Sequence, residues 1–233
     1  MSLARKISEG TAAWLMYEFH CMRADVFDEK YLVKPISDII TNSFQGRIKA
    51  EYNHPILNRN RSGRGRPPQI DFVIENSKKE IGIAVESKWY GNTAIKAGDV
   101  IWDLIRLELL NKEYGTNCFF VLGGMKKRLD SFFESKLFLE PKTNGKTRPI
   151  LRTKYGMRKS LRLDSPPKTR VKLISEKMTK YGELSMPATV RTGQPIFYPK
   201  NCRNADHQVY VWQVWSEEDY PRFYPSKTKI YNT

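Results

Sequence analysis

The chain reads as an α/β domain with a central mixed β-sheet flanked by helices and a β-containing C-terminal extension, and three observations predict it. Two apolar runs, residues 70–75 and 81–88, flank the polar stretch Asn76-Ser77-Lys78-Lys79-Glu80, the pattern of a β-hairpin. From 93 to 114 the apolar period becomes helical. Residues 118–122 then form a continuous apolar run closed by Gly123-Gly124, which marks a strand buried on both faces.

The remaining elements follow in chain order. Residues 11–22 crowd Ala12, Trp14, Leu15, Met16 and Phe19 at helical spacing around Glu18, and a second helix is expected over 36–44 with Pro35 in its first turn. A strand is expected over 47–57, then a basic, breaker-rich loop over 58–68 with Arg59, Arg61, Arg64 and Arg66 between glycines. In the helix after the hairpin, Ala97, Val100, Ile101, Leu104 and Ile105 share one face, while Asp99, Asp103 and Arg106 lie on the other and read as surface pairing. Gly115 is placed to end that helix. The division expected is a core over 1–140, a loosely structured basic arm or linker over 141–180, and C-terminal strands with a tail over 181–233 packed on the same domain.

A formal charge of +15 favours polyanionic partners, nucleic acid before an anionic membrane surface. Cys21, Cys118 and Cys202 are far apart and lack zinc-knuckle or disulfide-framework spacing, which suits a reducing cytoplasm. No stretch approaches the roughly 20 apolar residues of a membrane span. His20, His54 and His207 are isolated, so imidazole-based chemistry is not indicated, and Glu140 stands where a phosphate loop ending in Gly145-Lys146-Thr147 would need glycine.

The hairpin carries the chemistry. With its turn between Lys78 and Lys79, Asp71 falls opposite Glu86, and strand alternation puts Glu86 and Lys88 on one face above Gly82 and Ala84. Ile70, Phe72, Ile74, Ile81, Ile83 and Val85 are expected on the opposite, apolar face. Two neighbouring carboxylates repel, and a divalent cation relieves the repulsion. Mg²⁺ prefers oxygen donors and retains waters, so Asp71, Glu86 and the Ser87 carbonyl form a suitable partial shell, with Mn²⁺ as a substitute. Lys88 is then placed to orient or deprotonate a water, or to offset charge building on a phosphate.

Pro68-Gln69-Ile70-Asp71 followed by Glu86-Ser87-Lys88 resembles the PD-(D/E)XK, or restriction-endonuclease-like, nuclease superfamily. The resemblance spans residues 11–124, although the proline here lies three positions before the aspartate. It implies a Mg²⁺-dependent endonuclease in which an activated water attacks phosphorus in line with the departing 3′ oxygen, with Asp71, Glu86 and Lys88 catalytic. It also implies double-stranded DNA as substrate, and a homodimer if both strands are cut. The family often adds an acid on its first helix, for which Glu18 is the candidate and Glu51 on the next strand the second.

A second Glu-Ser-Lys, at 134–136, has no aspartate-bearing strand ahead of it and reads as surface charge. Arg59, Arg61, Arg64 and Arg66 are candidates for phosphate contacts beside the site, and Trp212 and Trp215 read as core. Two rival readings are a noncatalytic DNA-binding module of the same fold and a basic RNA-binding or capsid-associated protein.

Overall fold

The structure, a computed structural model, describes all residues except 25, 26, 61–64, 79, 92, 93, 136, 137, 142–146, 155–158, 218, 232 and 233. The first half runs α1 (Leu3–His20), α2 (Val33–Thr41), β1 (Arg47–Asn53), α3 (Pro55–Arg59), β2 (Gln69–Glu75), β3 (Ile81–Tyr90), α4 (Ala97–Tyr114) and β4 (Asn117–Met125). The second runs α5 (Lys126–Glu134), β5 (Leu139–Pro141), β6 (Thr147–Pro149), β7 (Lys159–Arg162), α6 (Lys168–Lys180), β8 (Met186–Pro187), β9 (Thr189–Thr192), β10 (Ile196–Tyr198), β11 (His207–Trp215) and β12 (Arg222–Phe223). The expected strand through 57 stops at Asn53. Pro55 cannot continue a ladder, and His54 caps a short helix by accepting from the Leu57 amide at 3.2 Å.

Eight strands form one mixed sheet in the order β1-β2-β3-β4-β11-β9-β7, with β10 also beside β11. Only β3 and β4 run parallel, joined by α4, and the other neighbours are antiparallel. The α/β class with a mixed sheet between helices is as expected. The C-terminal strand β11 pairs along β4, from His207 opposite Met125 to Val214 opposite Cys118, so the extension enters the middle of the sheet.

Helices cover both sheet faces. On one, Ile7, Leu15, Ile36 and Ile40 of α1 and α2 meet Phe72, Ile83, Val85, Val121 and Val211. On the other, Val100, Ile101 and Leu104 of α4 share a core with Val73, Ala84, Phe120, Leu122 and Trp212. The expected hairpin with one apolar and one polar face is therefore corrected. Both faces are apolar, and the polar residues occupy one end of the face under α4. Ile70 and Ile81 belong to the α4 side, the latter because Gly82 is an extra residue in β3, where the register shifts between Ile74 and Glu75.

The segment expected as a loose arm holds, where described, the β5–β6 hairpin, strand β7 of the main sheet and helix α6. Ile174 and Met178 of α6 are fully buried, and Val171 packs against the same core. Their spacing of three and four is helical, a pattern that the density of charge obscured. Gly98 of α4 permits close approach, since a β-carbon there would lie 2.6 Å from the Leu173 carbonyl. Among the described residues, no helix is long and apolar enough to cross a membrane.

His54 is fully buried and joins α3 to α4: Nδ1 accepts from Leu57, so Nε2–H donates to the Arg106 carbonyl at 3.0 Å. Burial lowers its pKa to about 4. A histidine depressed in the folded state favours folding at high pH and loses that contribution as pH falls from about 6.5 towards 4. The stability difference between wild type and His54→Gln, read from urea unfolding, is therefore expected to shrink by about 3 kcal/mol over that interval. A difference independent of pH would contradict the assignment.

Candidate active site

Register and a buried aspartate bring the hairpin residues together. Phe72 pairs with Val85, Val73 with Ala84 and Ile74 with Ile83, and the same register one step further places Asp71 across from Glu86. The Ser87 amide and hydroxyl both donate to Asp71 Oδ2, at 2.7 and 2.8 Å, fixing its carboxylate against β3. Glu86 is completely buried, and neither of its oxygens accepts a hydrogen bond. Arg106 Nη2 lies 2.9 Å from Glu86 Oε1, an ion pair outside hydrogen-bond geometry.

Asp103 and Arg106, expected on the surface, belong to this site, because α4 is packed on nearly all sides and its polar residues point to the end of the hairpin. Asp103 is 3% exposed. Arg106 bonds Asp103 Oδ1 at 2.5 Å and the Gln69 carbonyl at 2.6 Å, tying α4 to the start of β2. Lys88 Nζ sits 3.2 Å from Asp103 Oδ2, 3.0 Å from Glu29 Oε1 and 3.2 Å from the Ser87 carbonyl. Asp99 stands apart, paired with Lys177 of α6 at 2.7 Å.

Glu29, between α1 and α2, had no motif to single it out. Glu18, the expected acid of the first helix, is buried elsewhere: it accepts from the Tyr31 hydroxyl at 2.5 Å and pairs with Arg23 at 3.2 Å. Glu51, the second candidate, has a left-handed φ of 49° and pairs with Arg66 at 2.8 Å. Arg59 is held on the surface by Glu113 and Tyr114, and neither it nor Arg66 contacts the hairpin carboxylates. Arg61 and Arg64 lie outside the described residues. In the second Glu-Ser-Lys, Glu134 is exposed at the end of α5 and Lys136 lies outside the described residues.

The linked cluster sets four carboxylates, Asp71, Glu86, Asp103 and Glu29, against two cations, Lys88 and Arg106, a formal excess of two negative charges. Burial raises the Glu86 pKa well above the ordinary range. Arg106 opposes that rise, and Asp103 and Asp71 add to it. Burial likewise raises Asp71 against the pull of Lys88 and Ser87, and raises Glu29 against Lys88. Burial works against the Lys88 ammonium, yet Asp103, Glu29 and Asp71 outweigh it and hold the lysine more firmly protonated than in water.

These donors suit a hard divalent cation. Two Glu86 oxygens lack hydrogen-bond partners, Asp71 has a second carboxylate oxygen beyond the one bound to Ser87, and the excess charge matches one Mg²⁺. Among the described residues, no three His, Cys, Asp or Glu side chains are grouped to hold a metal unaided, so waters would complete the shell. Comparison with protein-family models, curated proteins and solved structures found no match for this chain.

Removing one partner of a buried ion pair leaves an uncompensated charge, which costs about 3–5 kcal/mol. Arg106→Met is expected to lower stability by about that amount in urea unfolding, and Glu86→Gln in the same chain to restore most of it. A single-variant loss below about 1 kcal/mol would show that Glu86 does not depend on Arg106.

Proposed function

We propose that the chain is a metal-dependent nuclease of the PD-(D/E)XK type that hydrolyses DNA phosphodiester bonds. One observation carries the reading: Glu86 is fully buried with both oxygens unbonded, beside Asp71 and a lysine held charged, in a protein of formal charge +15. The order of helix, three strands, helix and strand around the hairpin supports the same assignment. Double-stranded DNA is the substrate class that the resemblance implies, and cutting both strands would bring two copies of the chain together.

Asp71, Glu86 and the Ser87 carbonyl would hold Mg²⁺, or Mn²⁺ in its place. The bound ion supplies positive charge that activates water and offsets charge on the phosphate. Lys88 stays protonated, so it serves as a donor to a phosphate oxygen and not as a base. Ser87 orients Asp71, Asp103 and Glu29 orient Lys88, and Arg106 balances Glu86 from α4.

A second reading, a noncatalytic DNA-binding module, is favoured by one observation, the direct ion pairing of Glu86 and Asp103 with Arg106 and Lys88. Incubating linear and supercoiled DNA with wild type, Asp71→Asn and Lys88→Met, in Mg²⁺, Mn²⁺ or EDTA, separates the two. The nuclease reading predicts metal-dependent cleavage that falls by about 10²-fold or more in each variant, with DNA binding retained. Equal binding by all three proteins with no cleavage by wild type would establish the module.

A further inference from the structure

Beside the site lies a chamber of about 760 Å³, within the range of pockets that hold small ligands, and Lys88, Asp103 and Arg106 form part of its wall. The opposite walls are aromatic. Phe27 meets Trp89 edge-on at 5.8 Å, and Trp102 is stacked on Tyr181 at 5.6 Å. Lys96 at the start of α4 and Lys177 of α6 add positive charge at its border, with Lys177 Nζ 5.8 Å from the Trp102 ring centre.

A buried donor marks the chamber as built for a ligand. Trp89 is 8% exposed, and its Nε1–H has no hydrogen-bond partner among the described residues. It sits beside Gly91, also in the wall, where a β-carbon would lie 2.4 Å from Nε1. An unmet buried donor is costly, and an acceptor on an occupant relieves the cost. Aromatic walls, a free indole donor and flanking lysines suit a planar heterocycle with acceptor atoms, carried on a phosphate backbone.

We propose that this chamber receives one unpaired nucleotide of the strand held at Asp71, Glu86 and Lys88. The inference rests on the nuclease reading above and names its substrate as DNA that is single-stranded or opened next to the cut. In an intact duplex the bases are stacked inward and send none into a protein concavity, so a nucleotide must be unpaired or flipped out to fill it. The base lies among Phe27, Trp89 and Trp102 with an acceptor on Trp89 Nε1, while Lys96 and Lys177 face its phosphates.

The test is fluorescence polarisation of the full chain in EDTA with four labelled DNAs: a blunt duplex, the same duplex with a single-stranded tail, the tail strand alone, and that strand with abasic sites. The tailed duplex and the free strand are expected to bind about tenfold tighter than the blunt duplex, and the abasic strand to lose that gain. Phe27→Ala and Lys177→Gln are expected to weaken the tailed DNA while leaving the blunt duplex within about twofold. Equal affinity for blunt and tailed DNA, or undiminished binding of the abasic strand, overturns the proposal. Cleavage of the same DNAs in Mg²⁺ is read separately: a retained preference without cleavage would sink the nuclease reading and leave the nucleotide chamber standing.

Discussion

A carboxylate with no access to water has to be matched by positive charge, and Glu86 sets that requirement at the centre of this fold. Arg106 meets it from α4 and, through the Gln69 carbonyl, ties the helix to the strand that presents Asp71. His54 grips the Arg106 carbonyl from α3, and Asp103 divides its two oxygens between Arg106 and Lys88. The path of α4 across the sheet is thus fixed by charge at one end and by apolar packing along its length. The third charge within its apolar stretch, Glu108, is also buried and is paired by Arg222 from β12.

The cluster is locally acidic within a basic protein, and the two properties act at different ranges. The overall charge of +15 attracts a polyanion from a distance, with an effect that salt screens. The excess of carboxylate at the hairpin end would repel a phosphate at close range unless a cation lies between them. A divalent ion bridging carboxylates and phosphate satisfies both sides, which is why an acidic site on a basic surface fits hydrolysis of nucleic acid better than passive binding.

The hairpin was legible in the sequence because strand alternation and the distance of each residue from the turn fix the register, and the bulge at Gly82 leaves the pairs from Phe72 to Ile74 as predicted. The buried strand β4 and the Gly115 end of α4, which has a left-handed φ of 64°, were legible for equally local reasons. Asp103 and Arg106 were misread because spacing of three on a helix usually means a solvated pair. The contrary signal was their company: between Val100 and Leu110 the only charged residues are Asp103, Arg106 and Glu108, too few for a solvent face. Glu29 and the insertion of β11 beside β4 depend on contacts distant in sequence, which no local pattern encodes.

Direct measurement of divalent-ion binding tests the central claim, that Asp71 and Glu86 form a cation site. Titration of Mn²⁺ followed by electron paramagnetic resonance, on wild type and on Asp71→Asn and Glu86→Gln, reads free and bound ion without requiring any substrate. The account predicts one bound Mn²⁺ per chain in wild type, displaced by Mg²⁺ and lost in both variants. Equal binding by all three proteins, or none by wild type, would contradict it.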